Sequence, residues 1–249
     1  MKKIIYLFSA LALMVSSCKK DDDTTPSSTS TATAGSTVPK LSDADGVFAA
    51  IITNNWVSVP FIGAINTPYG TAVGVISDAT GSSTYIDAGT VKCDDTLLVR
   101  NSSNNYLFQA SGYNATGLSF NTGNAKWEIG GNSAVAAFNY TTTIGFPELD
   151  SISSASTINV GASYTLATSS AVTNSDSVIF MIAGPNGNVM KTKGPGTTST
   201  TFTSAELTSL GSGTGIAEIV PYSIESKVLN GKKYYFINEN AVTKSVKLQ

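Results

Sequence analysis

The 249-residue sequence predicts an all-β fold, laid out as two antiparallel sandwich-like domains behind an export signal and a flexible stalk. Three observations predict it. Charged residues make up 13% and hydrophobic residues 41% of a chain rich in Ser, Thr, Gly and Asn, a balance that favours short strands and turns over long helices. Apolar side chains recur at every second position in several segments, as in half-buried strands. Clusters of Gly, Asn and Ser separate those segments at the spacing of a sandwich or barrel.

The chain opens with Lys2 and Lys3, an apolar stretch from Ile4 to Val15, and small Ser16 and Ser17 ahead of Cys18. The apolar stretch falls well short of the ~20 residues a helix needs to span a bilayer, so residues 1–17 read as a cleaved signal. Val15-Ser16-Ser17-Cys18 resembles the bacterial lipobox. That resemblance implies cleavage between Ser17 and Cys18 and a mature chain that begins at an S-diacylglycerylated, N-acylated Cys18. Two or three acyl chains, at about 0.8 kcal/mol per buried CH₂, anchor stably where one does not.

Lys19-Lys20-Asp21-Asp22-Asp23 resembles the surface-export signal of Bacteroidota lipoproteins, which implies an outer-membrane anchor facing the cell exterior; a plain solvated charge run is the competing reading. Residues 18–38 form the tether. From Thr24 to Thr37 it is almost entirely Ser, Thr, Ala, Gly and Pro, too polar to offset its ordering entropy, and as a coil it spans roughly 20 Å. Asp23-Thr24 resembles a Bacteroidota O-glycosylation site, with Thr24 as the accessible acceptor.

Residues 39–146 are expected to form the first domain. Acidic Asp43 and Asp45 ahead of Val47–Ile52 predict a short helix capped by Ser42 or Asp43, with Phe48, Ile51 and Ile52 inward. Asp43-x-Asp45-Gly46 also matches the start of a calcium loop, but the later ligands are missing. Strands are expected at 71–77, 83–92, 96–100, 105–110, 125–129 and 134–141, with Trp127 in the core. Gly145-Phe146-Pro147 marks the internal boundary, because proline is excluded from a central strand.

Residues 147–249 form the second expected domain. Ser177–Gly184 is apolar on both faces and reads as a central strand. Asn186-Gly187 and Asn230-Gly231 are hairpin turns. Thr203-Ser-Ala-Glu206 is a capping box for one helical turn. Seven or so strands in about a hundred residues resemble an immunoglobulin-like sandwich in architecture alone, without its paired cysteines.

The sequence contains no histidine, which excludes Ser-His-Asp and Cys-His mechanisms and imidazole zinc sites. A net charge of −2 with a single arginine, Arg100, argues against nucleic acid as a partner. Cys93 reads as a free thiol. Paired carboxylates are the one catalytic device left, and most acids fall in turns. Glu218 shares a strand face with Ile216, Val220 and Tyr222; the expectation is an exposed, wet face, and the alternative is a buried acid with a raised pKa.

Trp56, Tyr69 and Tyr113 lie in Gly, Asn and Pro-rich surroundings and are candidates for ligand stacking, with scattered surface packing as the alternative. The expected protein is thus a non-enzymatic surface lipoprotein without catalytic, cofactor or metal residues, serving binding, adhesion or envelope scaffolding. Its expected partners are the membrane, through the anchor, and a glycan or another surface protein. Glycan binding within polysaccharide uptake and a carboxylate-dependent glycoside hydrolase are the alternatives.

Overall fold

Period-two alternation sets the backbone. The computed structural model describes residues 41–59, 61, 63–110, 116–120 and 123–249. A 3-10 turn at Leu41–Asp43 leads into β1 (Gly46–Val59) and β2 (Gly63–Ile76). Short strands follow: β3 (Val91–Cys93), β4 (Thr96–Leu97), β5 (Val99–Arg100), β6 (Tyr106–Leu107), β7 (Lys126–Ile129) and β8 (Phe138–Thr141). After the Phe146-Pro147 segment come β9 (Thr157–Ile158), β10 (Tyr164–Ala167), β11 (Ser177–Gly184), β12 (Gly187–Lys193) and β13 (Ser199–Phe202). Helix α1 (Ser204–Thr208) then precedes two long strands, β14 (Gly213–Leu229) and β15 (Lys232–Leu248). The fold is all-β.

A nine-stranded sheet runs β12-β11-β14-β15-β1-β2-β6-β5, with β9 added along β15. A four-stranded sheet, β4-β3-β7-β8, and a two-stranded ribbon, β10-β13, complete the strands. Pairing of β1 with β15 is parallel, from Gly46 opposite Tyr234 to Asn55 opposite Thr243, so strands on both sides of Phe146-Pro147 share one sheet. The described residues belong to one compact unit.

Two cores nonetheless form. One gathers Phe48, Ala50, Ile76, Val91, Cys93, Trp127, Ile129 and Phe138 with Tyr234 and Phe236 from β15. Phe48 lies 5.1 Å from the Trp127 ring and stacks on Phe236 at 5.4 Å. The other gathers Ile158, Leu166, Val178, Phe180, Ile182, Phe202, Leu207, Ile219 and Val242. The two lie along one face of the large sheet, since Phe236 and Val242 are an even number of residues apart on β15.

The helix expected over 43–52 is instead strand β1, and only Leu41–Asp43 keeps helical geometry. Val47 to Ile52 is apolar on both faces, and as an interior strand hydrogen-bonded along its two edges to β2 and β15 it is buried or half-buried throughout. Long-range pairing overrides the local cap signal. The expected strand at 83–92 is mostly loop, because Asp87 turns the chain by accepting from the Gly89 N–H at 2.8 Å and from the Tyr106 hydroxyl at 2.8 Å. The sequence also predicts separate strands at 234–237 and 242–248, and these merge into β15.

Other expectations hold. β11 spans Ser177–Gly184 as read, and Trp127 and Cys93 are fully buried. Asn230 and Gly231, with φ of 52° and 78°, make the two-residue turn joining β14 to β15. Thr203 and Glu206 exchange the reciprocal bonds of a capping box on α1. Thr203→Ala is expected to cost about 1 kcal/mol in a denaturant titration, the usual loss for a removed cap.

Candidate functional site

Most carboxylates in the described residues are committed to holding the fold. Asp43 accepts from Lys233 Nζ at 2.6 Å and the Tyr235 hydroxyl at 2.8 Å; Asp45 accepts from the Thr80 hydroxyl and the Lys233 backbone N–H, both at 2.7 Å. The calcium-like motif is therefore used for tying β1 to β15. Asp87 pairs with Arg100, Glu128 with Lys92 and Lys126, Asp95 with Lys126, and Glu206 with Lys191. Glu225 accepts from Thr143, and Asp176 from the Ile224 N–H.

Two acid pairs are placed differently. Glu148 and Asp150 flank the buried Leu149 and, two residues apart in an extended segment, line one cleft together with Ser170, Ala171 and Asn240. The cleft measures about 500 Å³. One oxygen of each carboxylate is engaged: Glu148 Oε2 accepts from the Thr173 hydroxyl at 3.1 Å and Asp150 Oδ2 from the Ser169 hydroxyl at 3.0 Å.

Asn240 enters the cleft from β15 with its amide fixed. Its Nδ2 donates to the Pro147 carbonyl at 2.8 Å and its Oδ1 accepts from Asn54 Nδ2. Asn54 Oδ1 in turn accepts from Asn66 Nδ2 at 2.7 Å, so three asparagines form a ladder across β15, β1 and β2. Beside it stands Trp56, partly exposed, whose indole N–H donates to the Asp150 carbonyl at 3.1 Å.

Trp56 and Tyr69 sit on paired strands and not in loops. In the uninterrupted β1–β2 register Trp56 faces Asn66 and Tyr69 faces Thr53, three positions along, so the two rings leave opposite sides of the hairpin. Tyr69 is half-buried, 6.3 Å from Phe108. They do not share a platform. Tyr113 lies outside the described residues, as do Ser17, Cys18 and Thr24.

The hairpin parts from β15 beyond Asn55. β15 accompanies β1 only to Asn55, whereas β1 and β2 stay paired to Val59 opposite Gly63. The paired segments 56–59 and 63–66 thus form a two-stranded finger, with Ile65 exposed and Phe61 fully exposed at φ 68°. No charged residue occurs between Asp45 and Asp78.

The second acid pair is Glu218 and Glu239, on adjacent strands of the face turned away from both cores. The expectation that Glu218 is wet is overturned: it is 8% exposed, and Glu239 1%. Val220, Tyr222, Ile237 and Ala241 are buried around them, so the face is apolar and excludes water. Burial pushes Glu218 up to about 7, and burial together with the Glu218 charge pushes Glu239 up to about 8. Neither forms an ion pair among the described residues, and Glu239 Oε1 has no hydrogen-bond partner there.

Sequence reading found Glu218 from its apolar alternation and missed Glu239, although Ile237-x-Glu239-x-Ala241 carries the same signal. It missed the asparagine ladder, whose members are 186 and 12 residues apart. Burial pushes the Cys93 thiol up and leaves it unreactive. No group of three or more Cys, Asp or Glu is placed to hold a metal ion among the described residues.

Compared with known proteins, the chain matches no family model, no curated protein and no solved structure.

Proposed function

We propose that this chain is a non-enzymatic surface lipoprotein, anchored through Cys18 to the outer membrane and exposed to the cell exterior, that binds a partner through the β1–β2 finger and the cleft beside it. The observation that carries the reading is the position of the finger. Phe61 is fully exposed and Ile65 exposed at the far end of the 14-residue β1 from Gly46, on a hairpin without a charged residue.

In this reading 39–146 and 147–249 are two sandwich-like parts built on a common sheet, with Tyr234 and Phe236 of β15 completing the first core. The second resembles an immunoglobulin-like domain in architecture. A binder of this kind serves adhesion or scaffolding. The test is capture from intact cells with residues 38–249 as bait. A partner retained by the parent and lost with Phe61→Ser supports the reading, and equal capture by both opposes it.

Glu148 and Asp150 in one cleft favour a second reading, a glycoside hydrolase using that pair. Release of reducing ends from oligosaccharides by the parent, abolished by Glu148→Gln, would establish it.

A further inference from the structure

We infer that the cleft lined by Glu148–Asp150, Ser170, Ala171 and Asn240, with Trp56 next to it, is a binding subsite for an uncharged sugar. The inference rests on the binding reading above and specifies its ligand. A sugar ring has an apolar C–H face and a rim of hydroxyls that both donate and accept, so a site for it needs an aromatic or apolar wall and fixed polar groups of both kinds.

The cleft supplies each. Trp56 lies next to the lining, partly exposed and held by the bond from its N–H to the Asp150 carbonyl. Leu149 and Ala171 add apolar surface. Asn240 has one amide hydrogen and one oxygen lone pair beyond those used by Pro147 and Asn54, a donor and an acceptor side by side on an amide that cannot rotate. Asn54 and Asn66 act as positioning residues through that ladder.

Glu148 and Asp150 decide the charge of the ligand. Each already accepts a hydroxyl hydrogen bond on one oxygen, from Thr173 and Ser169, and has no hydrogen bond on the other among the described residues. The free oxygens are acceptors for sugar hydroxyls. The nearest described cation on β15, Lys244, is turned onto the Ile152 and Ser154 carbonyls and does not offset them. Two carboxylates without a cation repel uronates, sulfates and phosphates at close range. The ligand is therefore a neutral glycan and not an acidic one.

The test places the full-length lipidated protein, in detergent micelles, on an array of neutral, uronate-containing and sulfated oligosaccharides with a series of basic peptides alongside. The expected result is retention of neutral oligosaccharides alone, at least tenfold weaker for Trp56→Ala and for Asn240→Ala. The paired change Glu148→Gln with Asp150→Asn is expected to admit uronate-containing oligosaccharides, a gain that loss of folding cannot produce. Circular dichroism of each variant checks the fold.

Binding of acidic oligosaccharides by the parent as tightly as neutral ones overturns the inference. So does retention of basic peptides alone, unchanged binding by Trp56→Ala, or no glycan bound at all. In that last case a partner captured through Phe61 leaves the anchored-binder reading standing, so the two failures are distinguishable.

Discussion

Raising the pH from 5 to 8.5 is expected to destabilise this protein by several kcal/mol, and replacing Glu218 and Glu239 by glutamine is expected to abolish most of that loss. Both carboxyls are buried on an apolar sheet face, with folded-state values of about 7 and about 8 against an ordinary 4.5. Below 4.5 they are protonated whether the chain is folded or unfolded, and they contribute no difference. Between 4.5 and 8 the unfolded chain releases these protons while the folded chain holds them, so stability falls with rising pH and levels off above about 8. At about 1.4 kcal/mol per pH unit, the gap at Glu218 alone corresponds to roughly 3 kcal/mol.

Exposed acids act in the opposite sense at lower pH. Lys233 and Tyr235 beside Asp43, and Lys126 beside Asp95 and Glu128, hold those carboxylates below their usual values, so their contribution is lost as the pH falls through the acid range. Being solvated, they contribute little. The stability maximum is therefore expected near pH 5. Urea midpoints at pH 5, 7 and 8.5 for the parent and for Glu218→Gln with Glu239→Gln check this: a sloping parent and a flat, more stable variant are expected at alkaline pH. A parent midpoint that does not change with pH would contradict the buried-carboxyl account.

The second large effect concerns Cys18. Cys18→Ala is expected to move the protein from the membrane fraction to the soluble fraction, because the acyl chains on Cys18 are the proposed anchor. In this proposal two or three acyl chains, at about 0.8 kcal/mol per CH₂, account for the binding. The check is fractionation with and without detergent, read with an antibody. A variant that still pellets with membranes would mean that a different part of the molecule holds it there.

How much of this was legible in sequence follows from how local each interaction is. The Thr203–Glu206 cap, the Asn230-Gly231 turn and the alternation around Trp127 depend on residues within a few positions of one another, and they were read correctly. β1 was misread because its acidic start mimics a helix cap, while its partner β15 lies almost two hundred residues away. The burial of Glu218 was legible as a pattern but not as an outcome, since alternation says which residues share a face and not whether the face is covered. Trp56 was singled out, but Asn240, which converges on the same cleft, was not. Only the parallel β1–β15 register brings them together.

The measurement that bears most directly on the account is the intact mass of the mature amino-terminal peptide purified from membranes. A peptide that begins at Cys18 and carries diacylglyceryl and amide-linked acyl groups is the predicted result. A peptide with an unmodified Cys18, or one that begins at another residue, would contradict it.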